Sequence, residues 1–255
     1  MLPADPPAPA EMRSTPEPDK MACDPDLCLP NPRLAMSSSW LITGSNRGIG
    51  LELTRQLSER GEPVIAICRT ASPELEALGV SIEAGVELTS EAHLAALAER
   101  LRGVSLAGAI LNAGILIADS LQNLDAAGLR RQFEVNALAP LLLARALLPN
   151  LLAGSKLALI TSRMGSIDDN SSGGYYGYRM SKTALNMAGK SLAVDLRPQG
   201  IAVAILHPGM VATRMVNFAG IPPEQAARGL LARIDALSLE TSGRFWHANG
   251  EELPW

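Results

Sequence analysis

The sequence predicts an α/β fold: a single doubly wound domain with a parallel sheet of about seven strands and helices on both faces. Three observations predict it. From Trp40 onward, short apolar runs alternate with amphipathic stretches of helical period. The first apolar run leads directly into a glycine-rich turn and then a helix. No change of composition after residue 40 marks a second domain, and a chain of 255 residues that is 47% hydrophobic can fill one core.

In chain order, strands are expected at Trp40 to Thr43, Pro63 to Cys68, Val80 to Val86, Ala107 to Asn112, Lys156 to Thr161 and Ile201 to His207, with a last one near Phe245. Each is a short, nearly continuous apolar run, as a strand buried on both faces requires. The intervening stretches Ile49 to Arg60, Ser90 to Arg102, Asp125 to Leu152, Tyr178 to Leu196 and Pro223 to Leu237 place apolar residues three and four apart and are expected as helices. Gly61 and Gly103 stand where helix C-terminal caps are expected. No internal repeat is visible.

Residues 1 to 36 differ from the rest. They hold nine of the 18 prolines together with six acids and three bases, a composition that predicts a disordered tail ahead of a domain over 37–255. The tail has neither the apolar centre of a signal peptide nor the arginine-rich, acid-poor character of a transit peptide. Met36 stands four residues before the first strand, so an upstream start codon is the second reading of the tail. The net charge of -4 offers no broad basic surface, which argues against nucleic acid and anionic lipid as partners. The longest apolar stretch, Leu138 to Leu152, is interrupted by Pro140, Arg145 and Pro149 and is too short to span a bilayer. Three cysteines are too few for a disulfide framework, and Cys68 lies in an apolar run; a reducing cytoplasm is expected. Cys23 and Cys28 have no imidazole in their own segment, so no metal is expected. A small soluble molecule is left as the expected partner.

The turn after the first strand reads Thr43-Gly44-Ser45-Asn46-Arg47-Gly48-Ile49-Gly50. Glycines at a strand-to-helix turn let the backbone approach a pyrophosphate, whose charge is then met by free N–H groups and the helix dipole. The spacing is GxxxGxG instead of GxGxxG, so the turn alone does not specify a dinucleotide. Further motifs follow in order: Asn112-Ala113-Gly114, Asn136, Ser162, Tyr178-x-x-x-Lys182 and His207-Pro208-Gly209. Together with the glycine turn they resemble the short-chain dehydrogenase/reductase family over residues 40–255. Ser162 to Ile167, Gly173 to Lys182 and the ending Asn249 to Trp255 resemble its C-factor-like and sniffer-like branch. The resemblance implies a Rossmann-type fold and an oxidoreductase acting on a carbonyl or the matching alcohol. It also implies a homodimer or homotetramer.

Reduction of a carbonyl needs a proton donor near the oxygen and a group to hold that oxygen as its charge grows. Tyr178 and Lys182 are four apart on one expected helix and share a face. The ammonium is expected to bring the phenol's pKa down, and the resemblance implies that Lys182 also grips the nicotinamide ribose. It further implies that Ser162 hydrogen-bonds the substrate oxygen and that Asn136 bends the long helix and positions a water. Thr161 and Ser166 are weaker candidates than Ser162. The 16-residue gap to Tyr178 must accommodate the loop Asp168 to Gly174. Tyr175 and Tyr176 are rivals for the acid role, but four residues on they meet Arg179 and Met180. His207 is expected to shape its turn.

In Rossmann folds an acid at the end of the second strand holds the ribose of NAD, and an arginine there accepts the 2'-phosphate of NADP. This strand ends Ile67-Cys68-Arg69-Thr70 without an acid, so Arg69, aided by Arg47, points to NADP(H) in preference to NAD(H). The resemblance implies that Glu87 and Leu88 flank the adenine, and that Pro208, Gly209, Val211 and Thr213 flank the nicotinamide. Met210, Met215, Val216, Phe218 and Ile221 suggest either an apolar substrate pocket under a lid or a lid packed onto the core, and the sequence does not choose between them. Against the enzyme stands a second reading, an NADP-binding signalling or sensor protein with little turnover. Intact Ser162, Tyr178 and Lys182 favour the enzyme, since a sensor has no chemical need of all three.

Overall fold

The structure, a computed structural model, describes residues 38–255. The expected disorder of residues 1 to 36 lies outside these described residues. Seven parallel strands form one sheet: β1 (Ser39–Thr43), β2 (Val64–Ile67), β3 (Ser81–Glu83), β4 (Leu106–Leu111), β5 (Leu151–Ile160), β6 (Ala202–His207) and β7 (Phe245–His247). Their order is β3-β2-β1-β4-β5-β6-β7, so the chain winds outward from β1 to one edge and then from β4 to the other. The reversal between β1 and β4 opens a crevice at the carboxyl ends of the strands, where doubly wound sheets bind ligands. The doubly wound single-sheet fold expected from the sequence is the fold observed.

Strand residues alternate between two cores. Leu41, Ile65, Ala109, Leu157 and Val203 face Leu94, Leu97, Leu143 and Leu185 from the helices α3 (Glu91–Arg100), α5 (Ala139–Leu147) and α6 (Tyr176–Leu196). Their neighbours Trp40, Ile42, Val64, Ile110, Ala158 and Ala204 face Leu53, Leu57, Leu230 and Ile234 from α1 (Gly48–Glu59) and α7 (Pro223–Asp235). Burial on both faces is why the strands read as unbroken apolar runs. Helix α6 lies close on the sheet because Gly189 has no side chain: a β-carbon there would stand 2.7 Å from Ile205 and 2.8 Å from Leu159.

Two expectations are corrected. The stretch from Asp125 to Leu152 is not one helix. It begins as α4 (Ala126–Phe133), passes through a π-helical segment Glu134–Leu138, continues as α5 and tightens into a 3-10 turn at Leu148–Asn150; Leu151 already pairs with Leu106 in the sheet. Each irregularity has a proline behind it. Pro140 cannot donate to the carbonyl of Asn136, and Pro149 ends the α-helical bonding. The second correction is α2 (Pro73–Glu76), a turn of helix started by Ser72, whose hydroxyl accepts from Leu75 N–H, where no helix was expected.

Candidate active site

The glycine turn is a built cradle. Gly44 and Gly48 are left-handed, with φ of 69° and 54°, and a β-carbon on Gly44 would stand 3.2 Å from Ala113 Cα. Gly50 packs α1 onto the turn itself: a β-carbon there would lie 2.2 Å from the carbonyl oxygen of Gly44. Side chains pin the surrounding chain. Thr43 Oγ1 accepts from Asn112 N–H and Ala113 N–H, Asn112 Nδ2 donates to Thr43 O, Ser45 Oγ donates to Ile42 O and Asn46 Nδ2 donates to Thr70 O. Arg47, at the N-cap of α1, caps nothing with its side chain, which leaves the first-turn N–H groups for a ligand. Ile49 packs against the core behind the turn. This cradle fits a dinucleotide pyrophosphate.

From Gly44 the crevice continues along Asn112, Ala113 and Gly114 to Lys182; a β-carbon on Gly114 would stand 3.2 Å from Asn136 Oδ1 and 3.5 Å from Lys182 Nζ. Tyr178 and Lys182 are both buried, 7% and 3% exposed, and the ammonium lies 5.8 Å from the centre of the phenol ring. Nζ donates to Ile160 O at 2.9 Å. Ser162 Oγ stands beside the phenol and accepts from Met164 N–H. The rival hydroxyls are engaged elsewhere: Thr161 Oγ1 donates to Asn186 Oδ1, and Ser166 Oγ accepts from Asp169 N–H. Asn136 is fully buried, and its Nδ2 donates to Ile115 O and to Ser181 Oγ.

The electrostatics differ from the sequence expectation for the tyrosine. Burial pushes the Tyr178 phenol up to about 12, with the Ser162 hydroxyl pulling the other way, and burial pushes Lys182 down to about 8. Each group loses its hydration here, and desolvation penalises whichever form is charged. His207, at the end of β6, is driven down to about 3 by burial first and then by His247 and Arg163; the two imidazoles meet edge to face at 4.9 Å. His207 therefore stays neutral and shapes its turn.

The segment from Ser162 to Tyr178 forms a pinned excursion. Arg163 pairs with Asp169, Arg179 Nη2 donates to Ser172 Oγ, and Arg179 Nε donates to Gly174 O. Arg179 is thus occupied by the loop. Tyr175, the rival with that arginine four residues on, is left-handed and 39% exposed. Pro208 is buried, and Gly209 has φ of 88° beneath His247. Val211 bridges to Ile221, and Thr213 Cγ2 stands 3.2 Å from the β-carbon position of Gly48, so this segment folds back to the glycine turn. Met210, Met215 and Phe218 are exposed at 63%, 41% and 68%; in place of an enclosed apolar pocket the segment forms an open apolar rim.

At the end of β2, Arg69 is exposed and pairs with Glu87 at 3.8 Å. Arg131 of α4, which the sequence reading missed, reaches the same carboxylate at 3.7 Å. Burial opposes the charge of Glu87, but Thr89 and the two guanidiniums hold it below the ordinary carboxylate range. Leu88 packs against the core beside it. Cys68 is buried, and burial pushes its thiol up; Cys23 and Cys28 lie outside the described residues. Among the described residues no group of three or more His, Cys, Asp and Glu side chains could hold a metal ion, and no helix is long and apolar enough to cross a membrane.

Known proteins are similar to this chain in sequence and fold. The chain is 46% identical, over 86% of its length and all of the relative's, to 1-hydroxy-2-glutathionyl-2-methyl-3-butene dehydrogenase of Rhodococcus sp. strain AD45. It is 47% identical to the C-signal of Myxococcus xanthus over 57% of its length and 90% of that protein. Among solved structures, the carbonyl reductase Sniffer of D. melanogaster superposes with a TM-score of 0.80 at 30% identity, covering 86% of this chain and all of the other. NADPH-bound carbonyl reductase from chicken fatty liver superposes at 0.77 with 31% identity, covering 86% and 99%. The short chain dehydrogenase profile matches residues 39–221, and the chain belongs to that family of oxidoreductases.

Proposed function

We propose that this chain is an NADP(H)-dependent oxidoreductase that reduces an aldehyde or ketone, or oxidises the matching alcohol, with Tyr178 as the group that gives and takes the proton. One observation carries the reading: a buried phenol and a buried ammonium one helical turn apart, at the end of a crevice whose other end is a glycine cradle. The cofactor supplies or accepts the hydride when bound. Gly44, Gly48 and the first turn of α1 hold its pyrophosphate, and Arg69 with Arg47 takes the 2'-phosphate, Glu87 giving up Arg69 to the more highly charged group. The NADPH carried by the chicken enzyme supports this choice.

In reduction Tyr178 donates its proton to the substrate oxygen while Ser162 Oγ donates a hydrogen bond to it, which offsets the charge as it develops. A phenol at about 12 is held protonated at neutral pH, the form a donor needs. In oxidation the same group must become a phenolate, and the ammonium of Lys182 is the charge that stabilises it. Asn136, its carbonyl freed of a helical donor by Pro140, holds a water beside Lys182 that resupplies the proton.

The C-signal relative supports the second reading, a signalling protein that binds NADP with little turnover. Following NADPH absorbance against aldehydes, ketones and a glutathione-conjugated alcohol separates the two: consumption with any of them supports the enzyme, and tight NADPH binding without turnover across the panel supports the sensor. We also assign a homodimer or homotetramer. Met180, Met187 and Val194 recur every seventh residue on α6 and are exposed, and Met180 lines a groove of about 300 Å³ together with Leu129, Phe133 and Leu138, a surface a second copy would cover. A sedimentation mass equal to one chain would remove this assignment.

A further inference from the structure

The segment between β4 and α4 lies against the helix that follows it in a fixed register. Ile115 N–H donates to Asn136 Oδ1 at 2.8 Å, and Ile117 N–H donates to Gln132 Oε1 at 2.9 Å. Extended residues two apart rise roughly 6.6 Å and helical residues four apart roughly 6 Å, so alternate strap residues meet successive turns of helix. The next residue in that series is Asp119. It leaves α4 and turns to α6, where its carboxylate accepts from Tyr176 N–H and, at 3.0 Å, from Gly177 N–H, while its main-chain carbonyl accepts from Tyr175 N–H at 3.0 Å.

Helix α6 has no cap of its own. Tyr175 at its N-cap is left-handed at φ of 51° and makes no side-chain cap bond. The stretch Gly173-Gly174-Tyr175 has no Ser, Thr, Asn or Asp to serve. Gly177 leaves room for the contact: a β-carbon there would lie 2.3 Å from Gln132 Nε2 and 3.1 Å from Asp119 Oδ2. Gln132 is fully buried on the other side of that position, and its Nε2 has no hydrogen-bond partner.

We propose that Asp119 is a positioning residue for the oxidoreductase reaction: held by the 115–119 strap, its carboxylate fixes the first turn of α6 and with it the place and charge environment of Tyr178. The inference rests on the assignment of Tyr178 as the acid–base group. Two effects follow from one contact. The bonds to Tyr176 and Gly177 N–H anchor the backbone one residue before Tyr178. The negative charge offsets the positive end of the α6 dipole, which would otherwise favour the phenolate. The titratable and charged groups around this corner are Lys182 and Arg179 on α6, Arg130 on α4 and Glu134 on the π-helical segment, which line the groove beside Gly177, His207 at the end of β6, the Arg163–Asp169 pair in the β5–α6 loop and Asp119 itself. Among the described residues Asp119 makes no ion pair.

The test uses the full chain with NADP(H) and an aldehyde–alcohol pair that it turns over. Asp119→Ala is expected to lower kcat about tenfold or more, as small displacements of a reacting group do, with the NADPH Kd within about twofold. Asp119→Asn keeps an acceptor oxygen and removes the charge. It is expected to hold kcat within about threefold and to move the rising limb of the alcohol-oxidation pH profile down by about half a unit or more. The same shift is read without turnover from the carbon NMR signal of the Tyr178 phenol, one of three tyrosines in the chain. An unmoved limb and phenol signal in Asp119→Asn overturns the proposal, as does a kcat loss that only follows a lower Tm or weaker NADPH binding. Should Asp119→Ala fail to fold, Asp119→Asn decides alone. Tyr178→Phe is the reference: if it retains turnover, the acid–base assignment itself falls, and if it is inactive while both Asp119 variants match the parent, only the positioning role falls.

Discussion

The two ends of the crevice are built by opposite means. At the β1–α1 turn eight consecutive residues, Thr43 to Gly50, form the cradle largely with their backbone, and the decisive contacts are those that glycines leave open. At the Tyr178 corner the backbone matters less. Side chains converge there from α6, from the end of β5, from the π-helical segment and from the strap after β4. The first end is a local shape held by sterics, which tolerates no added atom. The second is an assembly of hydrogen bonds among distant residues, in which one group can be changed while the rest stay in place. Binding and chemistry should therefore separate under mutation.

The strongest break is expected from Tyr178→Phe, which leaves the cradle untouched. Turnover should fall by about 10² or more while NADPH Kd stays within about twofold, measured by steady-state kinetics and fluorescence titration. Loss of cofactor affinity on the same scale would mean that the two ends are not separable. Arg69→Ala acts on the other end and should cost NADPH binding about 1.5 to 3 kcal/mol with little change for NADH. Equal losses for both cofactors would remove Arg69 from the phosphate site and leave Arg131, its neighbour on Glu87, as the next residue to change.

Gly50→Ala tests the rigidity of the cradle, since the new methyl would meet the Gly44 carbonyl oxygen at 2.2 Å. A stability loss of about 1 to 3 kcal/mol in urea denaturation, with weaker NADPH binding, is expected. The last effect belongs to pH. His207 binds a proton at about 3 when folded and near 6.5 when unfolded, so between those values the unfolded chain holds more protons and stability rises with pH. Tm should drop on acidification from pH 6.5 to 4, and His207→Asn should reduce the drop. An identical slope in the variant would assign the acid sensitivity to other groups.

How much of this was legible in the sequence follows from the same contrast. The cradle was readable because strand, glycines and helix are contiguous, and the central strands were readable because burial on both faces makes them uniformly apolar. Tyr178 and Lys182 were readable because four residues is one helical turn. The irregularity at Asn136 was expected from the resemblance and from Pro140 just beyond it, but the end of the helix before Leu151 was not, because the apolar pattern continues from α5 into β5. The direction of the Tyr178 shift was missed because spacing gives the distance between two groups and says nothing of the water each has lost. Asp119 was invisible for a similar reason. Its partners stand 57 and 58 residues away, and nothing in its own neighbourhood marks it as the cap of another helix.

The π-helical segment has a consequence for insertions and deletions. An α-helix turns by about 100° per residue, so the wider loop at Glu134–Leu138 sets the angular phase between Gln132 upstream and the core leucines Leu143 and Leu147 downstream. The wider loop takes up the rotation of one residue, so removing one residue there would restore a regular spiral with both groups still in phase, whereas removing one from α4 or α5 would swing one of them about a quarter turn out of alignment. The segment is thus a phase adjuster, and a one-residue deletion is expected to disturb the packing of α4 against α5 less there than elsewhere along the two helices.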